Sequence, residues 1–371
     1  MTDAVCLSVC PLGFVVGMRS KLCNESTCGH VKPQMKSNNS FSRRRAIKTL
    51  FCSSAVMALN LRGGQVRGGV KPEGLHFLAI GDFGTGSTDQ KAVAAALQAF
   101  VAKHQLKPEA LLLLGDNFYG PVKGGFSVDS KRWITDIEEM YPASVFPGPM
   151  YPVLGNHDYH DNEGGEVVQL AYAKRSGGRW SLPAKWHRVD LGVEQALVTV
   201  ICLDSNLPAV SGTGKNKLTG KPRASLTAEE AAAQHDWLKA ELAKPRAPFT
   251  LVIGHHPLYS NGDHGDTKPL VKEWEPLFEQ HQVHAYLCGH DHDLQHLEME
   301  GKFTSHVLSG GGGARTRQLE TPERTMPYGK DVHGFTHITV QPEGLTFAHH
   351  DVEGKVLHQF TKRRDGKVEM G

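Results

Sequence analysis

Five short stretches of this 371-residue chain place potential metal donors directly after apolar runs. They are Gly81-Asp82-Phe83-Gly84, Gly115-Asp116-Asn117-Phe118-Tyr119, Gly155-Asn156-His157-Asp158, Gly254-His255-His256-Pro257 and Gly289-His290-Asp291-His292. Their carboxylate, phenol, amide and imidazole groups are enough for two metal ions that share one carboxylate. Carboxylate and phenolate oxygens suit a hard trivalent ion, while imidazoles with an amide oxygen suit a softer divalent one. Two such ions can polarise a phosphoryl oxygen and turn water into a nucleophile. The pattern points to a binuclear metallohydrolase of phosphate esters.

The elements that must position these donors are short. Residues 77–80, 110–114, 151–154, 249–253 and 285–288 are mostly apolar and each is stopped by Gly. Such runs read as buried strands of an α/β protein. In open α/β sheets, sites form in the loops beyond the carboxyl ends of strands, and all five motifs fall there. Residues 89–104 carry apolar side chains at helical spacing. Thr227-Ala228-Glu229-Glu230 is a capping box that opens a helix to Lys244, stopped by Pro245. Residues 270–281 read as one more helix, and 196–203 as a strand ending in Asp204. Residues 336–340, 345–350 and 356–360 read as a meander, with Glu343-Gly344 and Glu353-Gly354 at the turns.

The motif order GDxG, GDNFY, GNHD, GHxP and GHDH resembles the calcineurin-like metallophosphoesterases, and within them the purple acid phosphatases. The resemblance spans roughly residues 74–315. Ala171-Tyr172-Ala173-Lys174 and Arg179-Trp180 make it most similar to the small, tartrate-resistant type, although Val122 stands where that family has Gly. Gly84 occupies a position where many metallophosphoesterases have His. Tyr119 stands instead three residues after Asp116, where purple acid phosphatases bind a phenolate; alone, such a Tyr would be read as packing.

The resemblance implies a four-layer αββα sandwich of two mixed sheets flanked by helices. It implies Fe(III) on Asp82, Asp116, Tyr119 and His292. It implies Fe(II), Zn(II) or Mn(II) on Asp116, Asn156, His255 and His290, with Asp116 bridging. The implied activity is acid phosphatase action on phosphate monoesters by a metal-bound hydroxide. His157 and His264 match the family's two active-site histidines outside the ligand set. His157 is assigned to substrate binding and transition-state charge, and His264 to leaving-group protonation, with an exchange of roles open. Asp158 is expected to orient a neighbouring His. His256 either lines the cleft or faces away, and His160, His281, His284 and His296 are expected at the surface or in packing. The Gly310–Gly313 run resembles the family's loop after the last ligand strand. Two other readings are a phosphodiesterase of nucleotides or lipids using the same site, and an iron-centred, peroxidase-like redox protein.

The formal charge of +2 argues against general nucleic-acid affinity. No apolar run is long enough for a membrane span. The expected partner is a small phosphorylated substrate, with no nucleic-acid scaffold, no stable membrane anchor and a monomeric chain. Residues 1–34, with Cys6, Cys10, Cys23 and Cys28, read as a spurious or disordered extension. A small metal knuckle is the alternative, although the spacings are not those of a standard zinc site. Within residues 35–69, Ser42-Arg43-Arg44-Arg45-Ala46-Ile47-Lys48 resembles a twin-arginine export motif, followed by a short apolar stretch over 49–61. That implies the twin-arginine translocase as a partner and a periplasmic or secreted bacterial enzyme. Residues 70–371 read as one catalytic domain. Its cysteines, Cys202 and Cys288, each fall in an expected strand, so no disulfide framework is expected. Segment 206–225, rich in Gly, Lys, Ser and Pro, occupies the place of the exposed loop that restrains the tartrate-resistant type until proteolysis. It is expected either to overhang the metal site, where nicking would raise turnover, or to be a plain mobile surface loop.

Overall fold

Alternate residues of the first strand face different layers, and this alternation sets the architecture. Phe77 and Ala79 join one apolar cluster, while Leu78 and Ile80 join another. The computed structural model describes residues 74–371 except 193–194, 212–214, 216–219, 221–222, 321–323 and 325. The expectations for residues 1–34 and for the export segment 35–69 lie outside the described residues.

In chain order the elements begin with β1 (Leu75–Ile80), α1 (Thr88–His104), β2 (Ala110–Leu113) and β3 (Met150–Pro152). Two helices follow, α2 (Asn156–His160) and α3 (Gly165–Arg175), then β4 (His187–Leu191), β5 (Val198–Cys202), α4 (Ala228–Ala243) and β6 (Phe249–Ile253). After them come α5 (Lys268–Glu273), α6 (Glu275–Gln280), β7 (Ala285–Cys288), β8 (Leu294–Glu298), β9 (Ser305–Ser309) and β10 (Tyr328–Lys330). The chain closes with β11 (Gly334–Gln341), β12 (Gly344–Asp351), β13 (Val356–Arg363) and β14 (Val368–Met370).

These strands form two seven-stranded sheets, β14-β13-β12-β11-β1-β2-β3 and β10-β8-β9-β7-β6-β5-β4. Both are mixed. In the first, β1 runs parallel to β2 and antiparallel to β11. In the second, β5, β6, β7 and β9 are parallel, with β4 and β8 antiparallel at their flanks. Phe77, Ala79 and Leu112 of the first sheet meet Val200, Leu251 and Leu287 of the second in one buried cluster. The outer face of the first sheet packs Leu78 and Ile80 against Val93, Leu97 and Phe100 of α1. The outer face of the second packs Ile201, Val252 and Tyr286 against Leu238 and Leu242 of α4 and Trp274 and Phe278 of the α5–α6 region. Helix, sheet, sheet and helix are the four layers expected.

Most element readings hold. Thr227 accepts a hydrogen bond from the Glu230 N–H, and its own N–H donates to Glu230, so α4 opens on the expected capping box. The helix expected over 270–281 is instead two short helices meeting at Trp274. Pro276, in the first turn of α6, has no N–H to continue a preceding helix and its ring crowds the turn before it. Cys202 and Cys288 are buried free thiols in β5 and β7. No helix among the described residues is long and apolar enough to cross a membrane.

Candidate active site

The carboxyl ends of β1, β2 and β3 carry Asp82, Asp116 and Asn156, and those of β6 and β7 carry His255, His290 and His292. The site therefore draws from both sheets. Glycine makes the approach possible. Gly115 has φ +89°, and a Cβ there would lie 2.5 Å from His255 Nδ1. A Cβ on Gly289 would lie 2.2 Å from Asp82 Oδ2. Asp82, Asp116 and His290 themselves have φ of 57°, 52° and 70°. Left-handed backbone costs a non-Gly residue about 1–2 kcal/mol, and such strain gathers at functional sites.

Two groups of donors result. Ligand atoms of Asp82, Asp116 and His292 lie within 4.8 Å of one another. The Tyr119 hydroxyl joins them, 3.0 Å from Asp82 Oδ1 and 3.2 Å from His292 Nε2. The second group is His255, His256 and His290, again within 4.8 Å. Asn156 Oδ1 lies 3.0 Å from His255 Nε2, and His290 Nδ1 lies 3.2 Å from the same nitrogen. Asp116 Oδ1 is 3.5 Å from His255 Nε2, so this carboxylate touches both groups. All seven expected ligands converge.

The tautomers suit metal binding. His255 Nδ1–H donates to the Leu114 carbonyl at 2.9 Å, and His292 Nδ1–H to the Arg315 carbonyl at 2.8 Å. Each Nε2 is then left with a lone pair for an ion. Burial, followed by the nearby His256 and His255, pushes His290 well down and keeps it a neutral ligand. Burial alone would raise the Asp116 carboxyl, but His255 and His157 outweigh it and hold the group well below the usual range. Burial and the charges of Asp116 and Asp82 push the Tyr119 phenol well up. A phenolate at Tyr119 therefore needs a strong cation beside it, the role of a bound ion. The donor set fits a two-metal centre.

His157 and His264 line one cleft with Asn156, His256 and His290. His157 Nδ1 donates to Asp161 at 2.8 Å, and His264 Nδ1 to Asp291 at 2.7 Å. Burial lowers His157, but Asp116 and Asp161 override it and raise the imidazole to about 9. The expectation for Asp158 is corrected: its carboxylate accepts from the N–H groups of Gly155, Asn117 and Phe118 and from Gln169, and none of these partners is a histidine. It ties two ligand-bearing loops together. Burial and then Asp116 raise it to about 8. The loop at Val122 is closed by Asn162, which accepts from the Val122 N–H and donates to the Gly120 carbonyl. His256 lines the cleft rather than facing away. His160 also reaches the cleft, whereas His284 and His296 are buried in packing. Of segment 206–225, the described ends Ala209–Ser211 and Arg223 border the cleft.

Several polar residues of the site went unread. Asp161 follows His157 by one helical turn within the α2 region, a spacing that sequence alone displays. Asp291 sits between two ligands of the last motif. Ser205, Gln169 and Arg317 carry no such mark; Arg317 places a guanidinium nitrogen 3.0 Å from His264 Nδ1.

A family profile described as calcineurin-like phosphoesterase matches residues 75–294. The chain belongs to the calcineurin-like phosphoesterases. It is 32% identical to tartrate-resistant acid phosphatase type 5 of Oryctolagus cuniculus, over 76% of this chain and 89% of that protein. It is also 32% identical to purple acid phosphatase 7 of Arabidopsis thaliana, over 77% and 85%. Among solved structures, GAP50, the anchor in the inner membrane complex of Plasmodium, superposes with a TM-score of 0.65 at 20% identity, over 78% of this chain and 88% of that one. The purple acid phosphatase PPD1 of yellow lupin seeds gives 0.58 at 16% identity, over 77% and 53%. These two likenesses show the fold. A calcineurin-like phosphoesterase fold also serves a protein described as an anchor, so the chemistry of this phosphoesterase has to be argued from its own donors. They supply a binuclear phosphoester hydrolase.

Proposed function

We propose that the chain is an acid phosphatase of phosphate monoesters. In this reading Asp82, Asp116, Tyr119 and His292 hold Fe(III), and Asp116, Asn156, His255 and His290 hold Fe(II), Zn(II) or Mn(II). The observation that carries it is Asp116, one carboxylate grouped with Asp82 and His292 and lying 3.5 Å from His255. When bound, the metal pair supplies Lewis acidity and a nucleophile at neutral or acidic pH.

The chain's own residues do the rest. His157, oriented by Asp161, binds a phosphoryl oxygen and offsets the charge that builds in the transition state. His264, oriented by Asp291, holds a proton for the leaving oxygen. The cleft, about 650 Å³, has room for a small phosphorylated molecule, and its lining includes the cations Arg223 and Lys268 alongside Asp161 and Asp266. Export through the twin-arginine translocase to the periplasm or medium, and action as a monomer, belong to the same proposal.

The test is the visible spectrum of the purified protein with metal analysis alongside. Two metals per chain including iron, with a violet band that Tyr119→Phe abolishes, is the expected result. A colourless, active, two-metal protein would remove the iron–phenolate part. Faster turnover of a diester than a monoester would remove the substrate assignment.

A further inference from the structure

His256 belongs by position to the second donor group, with His255 and His290, yet its hydrogen bonding sets it apart. Ser205, fully buried just after β5, places its hydroxyl oxygen under the turn that follows β6. That oxygen accepts from the His255 N–H at 3.2 Å and the His256 N–H at 2.9 Å. A serine hydroxyl has two lone pairs and one proton. With both lone pairs engaged, its proton is left for the third neighbour, His256 Nδ1 at 2.8 Å. Nδ1 therefore accepts. A neutral imidazole that accepts through Nδ1 carries its proton on Nε2.

Two of the expected imidazole ligands are built the opposite way. His255 and His292 each donate through Nδ1 to a carbonyl and keep a lone pair on Nε2. His256 Nε2 makes no hydrogen bond to any described residue and is not among the buried unpartnered atoms, so it opens onto the cleft that the residue lines. Its ring centroid lies 4.3 Å from that of His290, whose own ring lies 4.0 Å from His264.

We propose that His256 is a third substrate-contacting histidine, presenting a fixed Nε2–H donor to a phosphoryl oxygen rather than a lone pair to a metal ion. Ser205 is its positioning residue. The inference rests on the two-metal phosphatase reading and adds to it a residue that decides how tightly phosphate is held.

The experiment compares metal-loaded wild type, His256→Ala and His256→Gln by metal analysis and by calorimetric titration with inorganic phosphate. Gln keeps an amide donor near the position of Nε2. Both variants are expected to retain the wild-type metal content. His256→Ala is expected to bind phosphate roughly ten- to hundredfold more weakly, the worth of one hydrogen bond to a charged group. His256→Gln is expected to recover most of that loss, which a purely structural role would not produce. Loss of one metal equivalent in His256→Ala overturns the proposal in favour of ligation. Unchanged phosphate affinity with both metals retained overturns it in favour of packing. A wild-type protein that lacks two metals or fails to bind phosphate would instead sink the reading beneath it.

Discussion

Asp161 and Asp291 do the same work for two different histidines. Each accepts the Nδ1 proton of its partner and turns Nε2 toward the cleft. His157 is also tied to the shared carboxylate, its backbone N–H donating to Asp116 Oδ1 at 2.8 Å, which places it for substrate binding. His264 is left with the proton-donating role, and leaving groups distinguish the two. In His264→Ala, kcat for an alkyl phosphate should fall by about 10²–10⁴, while an aryl phosphate with an acidic phenol should fall far less. Equal losses on both substrates would exchange the roles or end the assignment. The ligands and both histidines were legible because each directly follows a strand or falls at a fixed offset within a motif. Ser205 was not, because its partners His255 and His256 lie fifty residues on and meet it only once β5 and β6 are paired.

Strand positions were easy to read because an apolar run stopped by Gly has few other interpretations, and β1, β6 and β7 end directly before such a Gly. Helix continuity was harder, since the spacing of apolar residues through α5 and α6 hides the break that Pro276 makes. Histidine placement was the weakest point, because a buried His looks like any other in sequence. β9 shows the consequence. His306 is packed edge-on to Tyr259 and Tyr286, its Nδ1 has no partner among the described residues, and burial pushes it to about 3. His337 and His349 are pushed to about 3 by burial as well. A folded pKa below the unfolded value, near 6.5, means the unfolded chain takes up protons first. Stability is then full above about pH 6.5 and is lost as pH falls toward 3, by about 1.4 kcal/mol per unit for each such group. His306→Phe should therefore lessen the drop in Tm between pH 7 and pH 5. An unchanged drop would locate the acid sensitivity elsewhere.

At the scale of the whole molecule, the export proposal rests on the sequence of residues outside the described part of the chain. Replacing Arg43, Arg44 and Arg45 together with Lys keeps the charge and removes the guanidinium pair. Fractionation of a bacterial host carrying that variant should find the enzyme active but retained in the cytoplasm. Equal amounts outside the cell would rule out the twin-arginine route. The donors of the centre are shared between layers: Asp82, Asp116, Tyr119 and Asn156 follow strands of one sheet, and His255, His290 and His292 follow strands of the other. Chain synthesis delivers the first four long before the last three, and neither half alone offers more than a partial set. A filled centre can exist only after the two sheets have found each other. Under the export proposal, in which the chain leaves the cell already folded, metal occupancy would serve as a certificate of completed assembly, issued at a place where both halves must sign.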